Sequence, residues 1–80
     1  MRLPRDVSGQ ALAQALGKVG YAIARQTGSH IRLTTAARGG HKITVPAHDQ
    51  LRVGTLASVL AEVARHLDLE RDELLRRLFG

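Results

Sequence analysis

The stretch Gly28-Ser29-His30 connects two short runs, residues 21–26 and 31–34, whose alternating residues predict β-strands. Alternation places His30 and Arg32 on the same face of the second strand. An imidazole beside a fixed positive charge is suited to chemistry on a phosphate backbone.

Histidine has the proton chemistry that RNA cleavage needs. RNA can cleave itself when its 2′-hydroxyl is deprotonated while the neighbouring phosphate is stabilised, and histidine is the side chain that titrates near neutral pH. We expect His30 to act as general base, or as the acid toward the 5′-leaving oxygen. Arg32 and Lys42 would stabilise the phosphate charge, and Ser29 would bind phosphate or orient the imidazole. The alternative is an ordinary exposed strand histidine.

The composition excludes several classes of protein. Eighty residues, of which 44% are hydrophobic, predict one small globular domain. Two aromatic residues, Tyr21 and Phe79, are too few for a stacking platform, and the lack of cysteine excludes disulfides and thiolate zinc sites. No run is long enough to span a membrane, and residues 1–5 lack the apolar core of a signal peptide. We therefore expect a cytoplasmic protein.

The positive charge is concentrated in the first two thirds of the chain. Residues 1–54 hold eight Lys/Arg against two acids, a balance of +6, whereas residues 55–80 hold four against five, a balance of −1. This asymmetry indicates a polyanionic partner; the alternative is an arginine-rich surface that reflects the codon usage of a GC-rich genome. The cations expected to steer phosphate, unless they are simply solvated, are Lys18, Arg25, Arg38 and Arg52.

Three strands are predicted in succession. A turn at Thr27-Gly28 joins the runs 21–26 and 31–34, and a flexible Gly-Gly-containing connection over 35–40 leads to the third run, 41–45. Such short links predict an antiparallel meander.

Helices are predicted before and after this meander in the chain. The first has Ser8 as its N-cap and ends before Gly20, and the second has Thr55 as its N-cap. A last helix over about 69–79 has Asp68 as its expected N-cap.

The element order helix–strand–strand–strand–helix–helix predicts a two-layer α+β fold with helices on one face of a three-stranded antiparallel sheet. The other face is expected to be open and to carry the polar strand residues. The residues predicted for the helical side are Ile31, Leu33, Ile43 and Val45, and those for the open side are His30, Arg32 and Lys42.

The order and spacing of several short motifs resemble the HicA family of small toxins, the mRNA interferases of type II toxin–antitoxin pairs. The resemblance covers about residues 7–67, which we take as the core of a single domain over residues 1–80. The matching stretches are Val7-Ser8-Gly9, Leu16-Gly17-Lys18-Val19-Gly20-Tyr21, Arg25-Gln26-Thr27-Gly28-Ser29-His30, Ile43-Thr44-Val45-Pro46, His48 and Gly54-Thr55-Leu56-Ala57-Ser58-Val59-Leu60.

The resemblance implies a fold like that of the double-stranded-RNA-binding domain, α-β-β-β-α, here with an additional C-terminal helix. It also implies translation-independent mRNA cleavage, inhibition by a HicB-type antitoxin that covers the active site, and a catalytic histidine at His30. Gly28, Arg25 and His48 join Ser29, Arg32 and Lys42 as expected substrate-binding residues.

We expect neither a cofactor nor a metal. Three histidines, at positions 30, 41 and 48, could converge at one end of the sheet, but their spacing does not enforce the geometry of a zinc site. His66 is expected to cap or line the end of the second helix.

Three classes of function remain open on the sequence. The first is a ribonuclease toxin with a protein antitoxin, for which His30 beside cations on an open face is the distinguishing feature. The second is a non-catalytic RNA-binding module, which would be expected to carry more basic residues on the second helix than Arg65. The third is a protein-interaction domain whose open sheet face binds a partner.

Overall fold

The computed structural model describes residues 2–80, so that Met1 lies outside the described residues. The three helices and three strands occur in the predicted order. Their bounds are α1 Gly9–Leu16, β1 Ala22–Thr27, β2 His30–Thr35, β3 His41–Pro46, α2 Val53–Leu67 and α3 Arg71–Phe79.

The sheet is an antiparallel meander in the order β1-β2-β3. Opposite each other on β2 and β3 lie the pairs Ile31–Val45 and Leu33–Ile43, all four of which are buried. The helices cover this apolar face, whereas His30 and Arg32 are exposed on the other. The predicted α+β class, with helices on one face and an open second face, is confirmed.

The core draws on every helix. Leu12 and Leu16 of α1 and Val63 of α2 are fully buried, and so is the apolar side of the C-terminal helix. Because burying a leucine side chain stabilises a fold by roughly 2 kcal/mol, α3 contributes substantially to the stability of this core. Its buried residues are Leu74, Leu75 and Leu78.

The N-cap of α1 is confirmed. The Oγ of Ser8 accepts a hydrogen bond of 3.0 Å from the backbone N–H of Ala11. The α-helix ends at Leu16 and continues as a 3-10 turn over Gly17–Val19. Gly20 follows in a left-handed conformation, with φ 100°, so the predicted end before Gly20 is confirmed.

The predicted N-caps of the other two helices are wrong. Helix α2 begins before Thr55, with Arg52 at its N-cap position and no side-chain cap. Asp68 ends α2 instead of starting α3, and Glu70 is the N-cap residue of α3. Asp68 has φ 56° because aspartate tolerates the left-handed region, and it and the next residue, Leu69, donate N–H groups to carbonyls of the last turn of α2.

The strand ends also differ slightly from the sequence-based prediction. Thr27 is the last residue of β1, so the turn to β2 consists of Gly28 and Ser29. The connection over 35–40, predicted to be flexible, contains a 3-10 turn at Ala37–Gly39. The Oγ1 of Thr35 stabilises this turn by accepting a hydrogen bond from the backbone N–H of Ala37.

Gly9 allows the start of α1 to lie directly against the end of β3. A Cβ atom at this position would lie 1.9 Å from the carbonyl oxygen of Pro46, a backbone atom. We expect Gly9→Ala to lower the free energy of unfolding by about 2–3 kcal/mol, because the helix and the strand would have to separate. Chemical denaturation measures this loss.

Gly17→Ala is the matched control. Gly17 has right-handed φ and ψ angles of −58° and −29°, and a Cβ atom added to it would have no neighbouring atom within 4 Å. Alanine there should leave stability unchanged or raise it by up to about 1 kcal/mol. Equal losses in the two variants would contradict the close approach of α1 to β3.

Candidate functional site

The position of His30 is fixed by a two-residue turn that is itself held by backbone hydrogen bonds. Gly28 has φ 52°, a left-handed conformation that glycine adopts without steric cost. The carbonyl of Ser29 accepts a 2.7 Å hydrogen bond from the N–H of Ala47, just after β3. The N–H of Gly9 donates to the carbonyl of His48 at 2.9 Å, so the start of α1 holds the same loop. The loop after β3, which is itself held by the start of α1, therefore fixes the turn that precedes His30.

The register of the sheet places a small set of polar side chains around His30. On β1 its cross-strand neighbour is Thr27, and the neighbour of Arg32 is Arg25. Arg32 also lies opposite Thr44 on β3. Directly opposite residues of an antiparallel pair share a face and have Cβ atoms about 5 Å apart. Two adjacent rows of polar side chains therefore cross the open face. One contains Thr27 and His30, and the other contains Arg25, Arg32 and Thr44.

A β-bulge explains how Arg25 reaches this face. The register shifts between Ile23 and Arg25, which leaves Ala24 as the extra residue of β1. Uninterrupted alternation would place Ile23 and Arg25 on the same face. With the bulge, Ile23 lies opposite the buried Leu33, while Arg25 lies opposite Arg32 on the open face. The bulge was not predicted from the sequence, although an isoleucine and an arginine two residues apart conflict with a simple two-faced strand.

These side chains surround a surface depression of about 310 Å³. Among residues 2–80, neither Arg25 nor Arg32 has an ion-pair or hydrogen-bond partner for its guanidinium. The chain has no acidic residue between Asp6 and Asp49, so the whole sheet is free of carboxylates. Two like charges opposite each other destabilise a sheet, and an anion bound between them would relieve this repulsion. The depression is lined by Arg25, Thr27, His30, Arg32 and Thr44.

Comparison with known protein families gives a match over most of the chain. A family model described as the HicA toxin of bacterial toxin–antitoxin systems matches residues 9–64, which include α1, all three strands and most of α2. The chain belongs to the HicA toxin family. Searches of curated proteins and of solved structures found no match to it.

Four of the six expected substrate-binding residues do not line the depression of this HicA-family chain, namely Gly28, Ser29, Lys42 and His48. Lys42 is opposite Thr34 and lines a separate groove between β3 and α2, which also includes Glu62. His48 is exposed in the loop after β3. Ser29, in contrast, adjoins the site, with its Oγ 3.5 Å from the Nδ1 of His30, at the outer limit for a hydrogen bond.

Lys18 has a structural contact that the charge pattern did not indicate. Its Nζ donates a 3.0 Å hydrogen bond to the carbonyl of Leu78, in the last turn of α3. A cation at this position satisfies a helix-terminal carbonyl and interacts favourably with the helix dipole. Of the other expected steering cations, Arg38 lies in the 3-10 turn before β3 and Arg52 at the start of α2.

The three histidines considered for a metal site do not converge. His30 is opposite Pro46 at one end of β3, whereas His41 is opposite Thr35 at the other end. The part of the chain that the structure describes contains no cluster of three or more His, Cys, Asp or Glu side chains suited to holding a metal. Across residues 2–80, every helix is too short or too polar to cross a lipid bilayer.

His41 belongs instead to a hydrogen-bonded cluster on the helical side of the sheet. Its Nε2 is 3.0 Å from a carboxylate oxygen of Glu62, and its Nδ1 is 2.7 Å from the hydroxyl of Tyr21. Because a carboxylate only accepts, Nε2 donates to Glu62, and in the neutral tautomer this leaves Nδ1 to accept from the tyrosine hydroxyl. His66 stacks on His41 with ring centroids 4.6 Å apart and donates to the carbonyl of Ala37. His66 thus connects α2 to the 3-10 turn.

Burial, followed by the nearby charge of Glu62, raises the pKa of Tyr21 above its ordinary value of 10.0. The neutral phenol therefore stabilises the folded state below pH 10, and this contribution is lost as the pH rises through the raised pKa. We expect the stability of the wild type to fall more steeply above pH 10 than that of Tyr21→Phe. At neutral pH the variant should lose about 1 kcal/mol, because the hydrogen bond to His41 is removed.

Two measurements test this expectation. Denaturation of both proteins across alkaline pH gives the difference in slope. Tyr21 is the only tyrosine, so tyrosinate absorbance reports its ionisation directly. An absorbance midpoint at or below 10.0 in the folded protein would contradict the assignment.

Proposed function

We propose that this HicA-family chain is an endoribonuclease, an mRNA interferase that acts as the toxin of a type II toxin–antitoxin system. The observation that carries the proposal is the position of His30 in a depression beside the guanidinium groups of Arg25 and Arg32, which have no partner within residues 2–80. A polyanionic substrate is favoured because the sheet carries cations and no carboxylate.

In the proposed reaction, His30 removes the proton from a ribose 2′-hydroxyl. The 2′-oxygen attacks the adjacent phosphorus, the bond from phosphorus to the 5′-oxygen breaks, and that oxygen takes up a proton. The products are a 2′,3′-cyclic phosphate and a 5′-hydroxyl end. As the exposed imidazole in the depression, His30 can act as the base and, once protonated, as the acid toward the leaving oxygen. No cofactor enters the scheme.

Arg25 and Arg32 would hold the non-bridging oxygens of the phosphate. Arg32 is two residues from His30 on the same face of β2, a separation of about 7 Å along the strand, and Arg25 lies opposite Arg32 on β1. Charge accumulates on these oxygens during attack, so fixed guanidinium groups stabilise the transition state more than the ground state.

The remaining proposed contacts lie around the depression. Gly28 and Ser29 would approach the phosphate through the turn, and the Ser29 hydroxyl would orient the imidazole of His30. Lys42 and His48, outside the depression, would bind phosphates further along the RNA.

The natural partner in this proposal is a HicB-type antitoxin that covers the open face in the cytoplasm. An exposed site on a sheet without a covering element can be blocked by one bound protein. We take residues 1–80 as one domain, because the C-terminal helix packs into the same core as α1 and α2.

We expect His30→Ala to reduce cleavage of single-stranded RNA by about 10²- to 10⁴-fold, because the variant lacks the group that transfers the proton. His30 is exposed, so the fold and its thermal unfolding should be retained. Single-turnover cleavage of a labelled RNA measures the loss, and expression of each protein alone should arrest growth only with the wild type.

Gln26→Ala is the control, because Gln26 is exposed on β1 and lies opposite the buried Ile31. It should cleave at the wild-type rate. If His30→Ala cleaved as fast as this control, His30 would not be the catalytic group. If the wild type bound RNA without cleaving it, the chain would be the non-catalytic RNA-binding module.

Replacing Arg25 and Arg32 by glutamine should weaken RNA binding and its dependence on salt. For single-stranded nucleic acid, each lost phosphate contact lowers the slope of log K against log salt by about 0.7. Binding is measured in the His30→Ala background, where the RNA stays intact. Arg65→Gln, on the exposed side of α2, should keep the original slope. An unchanged slope in the double variant would contradict phosphate binding by this pair.

A further inference from the structure

Two threonines complete the depression, and neither takes part in the proposed reaction. Thr27 is the cross-strand neighbour of His30, and Thr44 is the cross-strand neighbour of Arg32. Both side chains are exposed and line the depression from opposite sides of β2. The imidazole and the guanidinium of β2 are thus flanked by one hydroxyl on each neighbouring strand.

Neither hydroxyl is used by the fold. Within residues 2–80, the side chains of Thr27 and Thr44 make no hydrogen bond, in contrast to Thr35, whose hydroxyl stabilises the 3-10 turn. As a β-branched residue, threonine suits a strand, but valine would suit it equally well. On each side of β2, a threonine hydroxyl is therefore available to donate and accept hydrogen bonds.

We propose that Thr27 and Thr44 read the ribose 2′-hydroxyls and make the site selective for RNA over DNA. This inference rests on the proposed function, because it assumes that the depression binds a nucleic-acid strand. A threonine hydroxyl can donate and accept, as can a ribose 2′-hydroxyl, and the 2′-hydroxyl is the group by which a protein distinguishes RNA from DNA.

The order of the side chains assigns each threonine a nucleotide. Thr27 is beside His30, so it faces the ribose whose 2′-hydroxyl loses its proton. Thr44 is beside Arg32, so it faces the second sugar at the phosphate that the arginines hold, the one that carries the 5′-leaving oxygen. The arginines bind RNA and DNA phosphates alike, which leaves the discrimination to the two hydroxyls.

The test compares the binding of two single-stranded oligonucleotides, an RNA and a DNA. They have the same base sequence, except that the RNA has uracil where the DNA has thymine. Binding is measured with His30→Ala protein, so that neither strand is cut. We expect RNA to bind more tightly than DNA. Adding Thr27→Val and Thr44→Val should weaken RNA binding by about 3- to 10-fold for each hydrogen bond lost and leave DNA binding unchanged.

Thr34→Val is the matched control. Thr34 lies on the same face of β2, opposite Lys42, but does not line the depression. It should keep the original ratio of RNA to DNA affinity. A purely structural effect of the valines would weaken both strands equally, and this result, like an unchanged ratio, would overturn the inference.

Cleavage of the same RNA by the wild type separates this inference from the proposed function. If the wild type cleaves RNA but the ratio of RNA to DNA affinity does not depend on Thr27 and Thr44, only the recognition of the ribose 2′-hydroxyls by the threonines is overturned. A ratio that depends on the threonines in a chain that cleaves nothing would support the reading and overturn only the nuclease. Failure to bind RNA at all would overturn both.

Discussion

The register of the β1–β2 hairpin is the constraint on which the site depends. A two-residue turn pairs Thr27 with His30, and this pairing places Arg25 opposite Arg32. A slip of one residue would move every side chain of a strand to the other face. The register is held from below by Ile31 and Leu33, which are fully buried. The open face that carries His30 is thus positioned by the packing of the opposite face.

Electrostatics and packing act in opposite directions in this sheet. The guanidiniums of Arg25 and Arg32 repel each other, and no carboxylate on the strands compensates for them. Packing of the helices, including the C-terminal α3, stabilises the sheet that holds the two arginines together. An anion between them relieves the repulsion, so ligand binding and folding stability should be coupled at this site.

The sequence predicted the features that follow from local alternation and missed those that depend on contacts between distant residues. The three strands, their open face and the placement of His30 beside Arg32 follow from a period of two. The bulge at Ala24 arises from pairing with β2, and the contact of Lys18 with Leu78 joins positions 60 residues apart. The N-cap rule failed at Asp68 because a short polar residue fits both a helix start and a left-handed helix end.

Strand β2 leaves no room for a change in chain length. From His30 to Leu33 its residues alternate strictly between exposed and buried positions. One inserted or deleted residue would therefore turn core side chains to the open face and site side chains into the core. Strand β1, at the edge of the sheet and exposed along its whole length, already holds an extra residue at its bulge. We therefore expect a change in chain length beside the depression to be tolerated better in the edge strand β1 than in β2.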